Sequence, residues 1–174
     1  ITEGIFDIIY TSIDTAGNIG RDTISNYTYD TTSATGIITF EELFASGGQT
    51  DTITVTFNEK MLPAPIINIE FPSDFVNDID TMMTLYDDGD STKWFYVLNV
   101  PDVIEGQVGI SIIANDLATN AIDADSLSMP DTLFIDNTEA IATFTYSNLS
   151  NPGLSNIGIG GDTIQVTISM NEPL

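Results

Sequence analysis

Two short loops in the chain carry the same three residue types at the same spacing. The stretch "SIDTAGN" occupies 12–18 and "ANDLATN" occupies 114–120, with Asp, Ala and Asn in matching places. Carboxylate and amide oxygens are the ligands that hard divalent cations such as Ca²⁺ select, but Asp and Asn in turns also bond to nearby backbone amides. Both a metal-ligating and a turn-stabilising interpretation are therefore open for these loops.

The composition limits the chemistry that any site in the chain can perform. The 174 residues include 26 acidic and three basic side chains, a formal net charge of −23, and neither Cys nor His. This excludes disulfides, thiolate or histidine metal sites and His-based catalysis, and the acidic field disfavours nucleic acid and anionic lipid as partners. The acidity is typical of a solvated surface, and it also suits calcium.

Whole segments recur along the chain, not only the two loops. The matched residues are Asp14 with Asp116, 102 positions apart, Asp30 with Asp136, 106 apart, and Asp51 with Asp162, 111 apart. A period near 105 residues is that of one small β domain. We therefore predict three parts: residues 1–30 as the C-terminal strands of a preceding module, 31–136 as a complete module, and 137–174 as the N-terminal strands of a following one. The start at Ile1, without Met or a signal peptide, suggests a piece of a longer chain.

Alternating apolar residues and turn clusters predict that the complete module is built from strands. In "DTITVTF", Ile53, Val55 and Phe57 fall on one face of a half-buried strand and threonines on the other. The predicted strand stretches are 36–43, 51–59, 66–71, 93–100, 107–116 and 126–136. Residues 74–88 are predicted as mostly strand and loop, with a short helix as the alternative. The fold class is all-β, an antiparallel sandwich of about seven strands packed on Trp94.

The order of "DTITVTFNEKMLPAP", "GISIIANDLATN" and "LFIDNTEA" resembles the bacterial Ig-like repeats of very large cell-surface and secreted adhesins. Those repeats typically carry a "GDTITVTFSEP" strand, a "DxAGN" turn and a closing "VDTTAP". The chain departs from them at Thr119, where Gly is frequent, and at Ala140, where Pro is frequent. The resemblance implies tandem Ig-like sandwiches in an extracellular protein, either secreted or on the bacterial surface.

An Ig-like topology would bring several of the acidic loops to one end of the module. The loops after the second, fourth and sixth strands would meet the incoming linker there. The candidate Ca²⁺ ligands at this end are Asp30, Glu59, Asp116 and Asn120, together with Asp88 or its neighbours Asp87 and Asp90. Asp136 and Glu172 would form the corresponding pair at the next junction. Six to eight such oxygens make a calcium site.

Eight of the Asp-Ser and Asp-Thr dipeptides resemble the O-glycosylation signal of Bacteroidota, whose exported proteins include gliding-motility adhesins with Ig-like arrays. The acceptor residues would be Thr15, Thr23, Thr31, Thr52, Thr81, Ser126, Thr132 and Thr163. The alternative is that Asp-Thr followed by an apolar residue simply marks a strand that begins after a turn. Modification at these residues is therefore a prediction that rests on the resemblance.

Two functions from different classes remain, and neither is an enzyme. Catalysis by a carboxylate pair, as in glycoside hydrolysis, is disfavoured because the acids lie in the loops of a repeated module. The favoured function is a structural spacer, in which modules of one chain or of identical subunits stand end to end, stiffened by Ca²⁺. The alternative is a module that binds a sugar or protein through "YDDGDSTKWFY" at 86–96. A spacer predicts no cluster of exposed aromatic residues, and at least one of Trp94 and Phe95 must face the core.

The partial modules cannot bury their own apolar residues, because two strands enclose no core. We assign Ile8, Tyr10 and Ile13 to the apolar face of the first partial module, and Ile164, Val166 and Ile168 to that of the second. Either further residues of a longer chain or a neighbouring copy would complete them, and the longer chain is the simpler expectation.

Overall fold

A computed structural model describes residues 2–72, 77–86, 89–153 and 157–172. The regular structure of these residues consists of fifteen strands and one three-residue 3-10 helix, Ala124–Ser126. The predicted all-β class is therefore confirmed. Among the same residues there is no helix with the length and apolar character needed to cross a membrane. The chain forms two compact units, Ile1–Asn137 and Thr138–Leu174.

The first unit contains thirteen of these strands and the second unit two. The strands of the first unit are β1 (Gly4–Ile13), β2 (Ile19–Tyr29), β3 (Gly36–Phe40), β4 (Phe44–Ala45), β5 (Thr50–Phe57), β6 (Ile66–Glu70), β7 (Ile79–Met82), β8 (Thr84–Leu85), β9 (Lys93–Asn99), β10 (Gly106–Gln107), β11 (Gly109–Ile113), β12 (Leu127–Ser128) and β13 (Phe134–Ile135). Those of the second are β14 (Ala142–Asn148) and β15 (Ile164–Met170).

Strands β3 to β13 form three sheets that share one hydrophobic core. One sheet has the order β12-β3-β5-β9-β8, another β11-β6-β7, and a small third sheet β10-β13-β4. Ile53 and Val55 of the five-stranded sheet and Ile67, Ile69 and Ile112 of the second sheet belong to the same buried cluster. Burial of these side chains from opposing sheets is the main source of stability for the module.

Strand β5 follows the alternation that its sequence predicts. Ile53, Val55 and Phe57 are buried, whereas Thr54 and Thr56 face outward. Trp94 on the neighbouring strand β9 pairs with Val55 and is only 5% exposed. The predicted place of Trp94 in the core is confirmed, because alternation along β9 turns it toward the same side as the apolar residues of β5.

Two features correct the prediction of continuous antiparallel strands. The stretch 126–136 is broken into β12 and β13, which are separated by a segment containing Pro130. Each of these two-residue strands pairs in parallel with its neighbour, β12 with β3 and β13 with β4, while the other pairings of the described residues are antiparallel. Proline offers no N–H to a ladder, so a single uninterrupted strand is disfavoured there.

Only part of the ambiguous stretch 74–88 lies within the described residues. It forms the short strands β7 and β8, which pair with β6 and β9 respectively. The prediction of strand and loop is confirmed for residues 77–86. Residues 73–76, 87 and 88 lie outside the described residues.

At its two ends the hairpin of β1 and β2 repeats pairings found in the module, whereas β11, the counterpart of the middle of β1, pairs with β6. The matched pairs are Gly4↔Tyr29 with Gly106↔Ile135, Ile5↔Thr28 with Gln107↔Phe134, and Ile13↔Ile19 with Asn115↔Ala121. The recurrence seen in the sequence is thus also a recurrence of strand pairing.

The hairpin of β14 and β15 in turn repeats the pairing of β3 with β5. The matched pairs are Ala142↔Met170 with Gly36↔Phe57, Phe144↔Ile168 with Ile38↔Val55, and Tyr146↔Val166 with Phe40↔Ile53. An asparagine side chain fastens both, since the Ile141 N–H donates to Asn171 Oδ1 at 2.6 Å and the Thr35 N–H to Asn58 Oδ1 at 2.7 Å. Strand β14 has seven residues where β3 has five.

The six residues assigned to apolar faces of the hairpins are exposed, and one of the six assignments is wrong. Val166 and Ile168 remain 62% and 58% exposed. The residues at the matching register positions of the module, Ile53 and Val55, are buried. Ile8 and Tyr10 share a face of the first hairpin, but Ile13 pairs with Ile19 on the opposite face. An odd separation along a strand reverses the direction of the side chain, which explains the correction.

Candidate metal centre

Hydrogen bonds hold the segment that follows β2 beside the loop that follows β5. The Thr35 N–H donates to Asn58 Oδ1, and the Asn58 N–H donates back to the Thr35 carbonyl at 2.9 Å. Asp30 lies at the start of this segment, and Glu59 follows Asn58 directly. The two carboxylates therefore approach one another although 29 residues separate them in the sequence.

A short strand contact brings the third carboxylate to the same place. Met61 forms an antiparallel bridge with Asp116, and the Leu62 N–H donates to the Asn115 carbonyl at 3.1 Å. This contact fixes the turn after β11 against the loop that carries Glu59. Backbone pairing thus fixes Glu59 and Asp116, and hydrogen bonds from Asn58 and Asn120 hold the segment that carries Asp30, as a pre-formed site requires.

Asp30, Glu59 and Asp116 form a compact acidic triad. One carboxylate oxygen from each residue lies within 4.8 Å of the others. Calcium binds oxygen at about 2.3–2.6 Å, so oxygens across an ion are at most about 5 Å apart. Asp116 is 1% exposed, and Asp30 and Glu59 are half-buried. The triad therefore has dimensions that fit a single Ca²⁺ ion.

The electrostatics of the triad disfavour its fully ionised form. Partial burial raises the pKa of the Glu59 carboxyl above its ordinary value, and the negative charges of Asp30, Asp116 and Glu3 raise it further. The causes that act on Glu59 include no basic side chain. A bound divalent cation would supply the missing positive charge and favour the ionised form.

The turn at Asp14 has the same hydrogen bonds as the turn at Asp116. Comparing the two shows which contacts of Asp116 belong to the turn and which belong to the triad. Asp14 accepts hydrogen bonds from the Asn18 N–H at 2.8 Å and from Asn18 Nδ2 at 2.7 Å. Asp116 accepts the equivalent bonds from Asn120, at 2.9 Å each. Both turns are capped alike, but within the described residues only Asp116 has two further carboxylates beside it.

Asn120 contributes its amide nitrogen to this arrangement. Besides its bond to Asp116, Nδ2 contacts the carbonyl oxygens of Thr32 at 3.3 Å and Asp30 at 3.5 Å. As a metal ligand, the role predicted for it from the sequence, Asn120 would have to present its side-chain oxygen. In the structure its side chain acts as a hydrogen-bond donor that joins the linker to the turn.

Glu3 is a component of the site that the sequence analysis missed. Its carboxylate accepts hydrogen bonds from the Thr31 N–H at 2.7 Å and from the hydroxyls of Thr31 and Thr32. These bonds lower the pKa of Glu3, the Thr31 hydroxyl being the largest cause. The signal was present in the sequence, because Glu3 and Glu105 are separated by 102 residues, as are Asp14 and Asp116.

Among the described residues, no other predicted metal ligand adds a carboxylate to the triad. Asp87 and Asp88 lie outside the described residues, and Asp90 is an exposed turn residue. Asp136 is exposed in the first unit, where its N–H donates to the Ala45 carbonyl at 3.0 Å. Glu172 is half-buried in the second unit, and its Oε1 has no hydrogen-bond partner within the described residues.

The residues of the predicted glycosylation motifs fall into two groups by exposure. Thr15, Thr23, Thr31 and Thr163 are exposed, and Thr52, Thr81, Ser126 and Thr132 are half-buried. The Thr31 hydroxyl is engaged with Glu3, so a glycan there would compete with that bond. Modification at all eight remains a prediction.

A small aromatic cluster lies on the outer side of the five-stranded sheet. Tyr86 is 55% exposed and contacts Phe95 edge to face, with ring centroids 5.8 Å apart. Lys93 Nζ lies 3.9 Å from the centre of the Tyr86 ring. Trp94 points into the core, so the expectation that Trp94 or Phe95 faces inward is confirmed. The expectation of no exposed aromatic cluster, which a spacer predicts, is not met at this place.

The triad offers three anionic oxygen ligands and neither nitrogen nor sulfur, which is the donor chemistry of a calcium site. It connects a residue of the linker to two loops of the module. Comparisons of the chain with protein-family models, with curated proteins and with solved structures found no match.

Proposed function

We propose that the chain is a structural spacer, a segment of a long extracellular array of Ig-like β-sandwich modules that stand end to end. The observation that carries this proposal is the recurrence of strand register. The β1/β2 hairpin shares at its two ends the pairing of the last strands of the module, and β14/β15 has the pairing of its first strands. A chain whose flanking parts repeat the two ends of its central domain is built as an array. The resemblance to bacterial surface adhesins supplies the proposed location.

Ca²⁺ bound at the acidic triad would stiffen the junction between modules. Asp30 belongs to the linker, whereas Glu59 and Asp116 belong to the module that follows, so one ion would tie two bodies together. Without the ion, the negative charges repel and favour an open linker, because Coulomb repulsion is strong among partly buried groups. The proposed spacer is therefore rigid with calcium and flexible without it.

A distance measurement within one copy tests this proposal. The chain contains no Cys, so two spin labels can be attached to cysteines introduced at Thr11 on β1 and at Ile113 on β11, both exposed. We expect millimolar Ca²⁺ to narrow the distribution of distances between the labels compared with chelator. Asp116→Ala should abolish the narrowing, and Asp14→Ala, which alters the equivalent turn outside the triad, should preserve it. Equal distributions in Ca²⁺ and in chelator would refute a calcium-stiffened spacer.

The aromatic cluster of Tyr86, Lys93 and Phe95 favours a second candidate function, the binding of a carbohydrate. An open groove beside the cluster is lined by the hydroxyls of Thr52, Thr54 and Thr56. Exposed aromatic rings next to hydroxyl groups offer both an apolar platform and hydrogen bonds to a sugar. Tyr86→Ala should remove binding in a glycan screen, with Tyr10→Ala as the control for an exposed tyrosine outside the groove. A screen in which no glycan binds the unmodified chain would reject this candidate.

A further inference from the structure

The β14/β15 hairpin presents an apolar face that the described residues leave uncovered. Phe144, Tyr146, Val166 and Ile168 match positions of β3 and β5 that face the core of the module. They are between 58% and 63% exposed. The opposite face of the same hairpin carries Thr143, Thr145, Thr167 and Ser169. The hairpin therefore has the strict two-sided pattern of a sheet that packs on a partner through one face.

The β1/β2 hairpin has a similar uncovered face. Phe6, Ile8, Tyr27 and Tyr29 line one shallow apolar groove on it, and Tyr10 continues the same side. Tyr10 is 68% exposed. By register, Tyr29 corresponds to Ile135 of the module, which is buried. This hairpin too presents core-type residues that the described residues leave uncovered.

The complete module indicates what covers each face. Strands β3 and β5, the counterparts of the β14/β15 hairpin, lie in the five-stranded sheet. Strands β11 and β13, which correspond to parts of the β1/β2 hairpin, lie in the other two sheets. Their inward residues, among them Ile38, Val55, Ile112 and Ile135, meet in one core. Strands β3 and β4 also pair in parallel with β12 and β13. In the module, the counterparts of the two hairpins thus pack against each other. The apolar face of the β14/β15 hairpin is therefore expected to fit against the apolar face of the β1/β2 hairpin.

We propose that two copies of this chain join head to tail, with the β14/β15 hairpin of one copy covering the β1/β2 hairpin of the next. The inference rests on the proposed end-to-end arrangement and identifies the neighbour as a second copy. In the joined pair, β14 is expected to lie parallel to β2, as β3 lies parallel to β12. Because the two surfaces differ, the contact is heterologous, and it leaves one free hairpin at each end for further copies.

The charge of the chain predicts how this association responds to salt. Each copy carries a formal net charge of −23, so two copies repel one another at low ionic strength. Added NaCl screens this repulsion and leaves the apolar contact in place. The mean mass in solution should therefore rise with both protein concentration and salt.

Multi-angle light scattering on the full chain and four variants tests the proposal. Val166→Asp and Tyr10→Asp each place a charge in one apolar face, and Thr167→Asp and Thr11→Asp place it on the opposite face of the same hairpins. We expect the unmodified chain and both threonine variants to grow beyond the single-copy mass of 18.8 kDa as concentration rises. Each face variant alone should remain a single copy.

Mixing the two face variants is the decisive step. Each retains one intact hairpin of opposite kind, so an equimolar mixture should form pairs of two copies and nothing larger. This result does not require the altered hairpins to fold, and the Trp94 fluorescence reports that the module of each variant is intact. A single-copy mass for the unmodified chain at every concentration and salt level would overturn the proposal. Pairing of either face variant with itself would also overturn it. Neither outcome alters the spin-label distance measured within one copy, which tests the spacer separately.

Discussion

At the scale of single residues, the fully ionised acidic triad costs free energy, which a bound cation would offset. The hydrogen bonds between Asp116 and Asn120 are sufficient to explain why an Asp stands in this turn. Asp14 and Asn18 make the same bonds in their own turn, where no other acids lie beside them among the described residues. The proximity of Asp30 and Glu59 is an additional feature that the turn does not need. Residues that repel one another at a fixed point in the fold are a mark of a binding site.

Glu59→Gln tests the electrostatic cost directly. The folded state raises the pKa of Glu59, so its ionisation opposes folding as the pH rises above the ordinary value of 4.5. In chelator at pH 7, the variant should therefore melt at a higher temperature than the unmodified chain, and the difference should vanish below about pH 4. Glu41→Gln, in the loop after β3, should change little. A Glu59→Gln variant that melts at or below the unmodified temperature at pH 7 would contradict the account.

Thr119→Gly should stabilise the turn that holds Asp116. Thr119 has a φ of 70°, and its counterpart Gly17 has a φ of 87°. The left-handed region costs a non-glycine residue about 1–2 kcal/mol, and part of the gain is offset by the greater chain entropy of glycine. We expect a net increase of about 0.5–1 kcal/mol in the free energy of unfolding, measured by urea titration. Gly17→Thr should destabilise its own turn, and a loss of stability in Thr119→Gly would show the strain argument to be wrong.

The sequence allowed the triad to be predicted, but not the roles of its neighbours. Asp30, Glu59 and Asp116 were recognised because each ends a strand or a turn at a recurring position. Glu3 was missed because it precedes β1 and lies in none of the loops considered, and its link to Thr31 depends on the path of the linker. The orientation of the Asn120 amide also follows from packing, since either end of an amide fits the same sequence.

At the scale of elements, one strand pattern occurs in a covered and an uncovered setting. Ile53 on β5 and Val166 on β15 occupy matched register positions, yet Ile53 is fully buried and Val166 is 62% exposed. The same alternation thus predicts a strand in both places. Burial, in contrast, depends on which partner sheet is present.

A pair of truncations measures this difference. Ile53→Ala removes methyl groups from a closed core and should lower the free energy of unfolding by about 2–5 kcal/mol. Val166→Ala removes them from an open face and should cost less than about 0.5 kcal/mol in dilute protein. Urea unfolding followed by circular dichroism provides both values. Equal costs for the two variants would mean that the face of β15 is already covered in the single chain.

Alternation predicted strand positions better than it predicted strand continuity. Strands β5 and β9 appear where the apolar period of two is clear. The segment 126–136 was predicted as one strand but forms β12 and β13, because its residues divide between two sheets. A change of sheet within a segment depends on long-range pairing, and the local sequence encodes only the presence of Pro130.

At the scale of the whole molecule, a recurring pattern of strand pairing occurs together with an acidic triad that would hold one ion. Strands β3 to β13 share one core, the flanking hairpins repeat parts of its strand pairing, and the triad lies where the segment after β2 meets the loops that follow β5 and β11. The ion would stabilise the folded module by mass action, because the unfolded chain does not hold the three carboxylates together. Ca²⁺ should therefore change melting, whereas a salt of equal ionic strength should not.

The most direct test of the central claim is the melting temperature in millimolar Ca²⁺ compared with chelator, at ionic strength matched with NaCl and read from Trp94. At a hundredfold excess over the dissociation constant, Ca²⁺ adds about 2.7 kcal/mol, equivalent to several degrees or more for a domain of this size. We expect this rise for the unmodified chain and for Asp14→Ala, and its loss in Asp116→Ala with the module still folded. Identical melting in Ca²⁺ and chelator, or a rise that persists in Asp116→Ala, would contradict it.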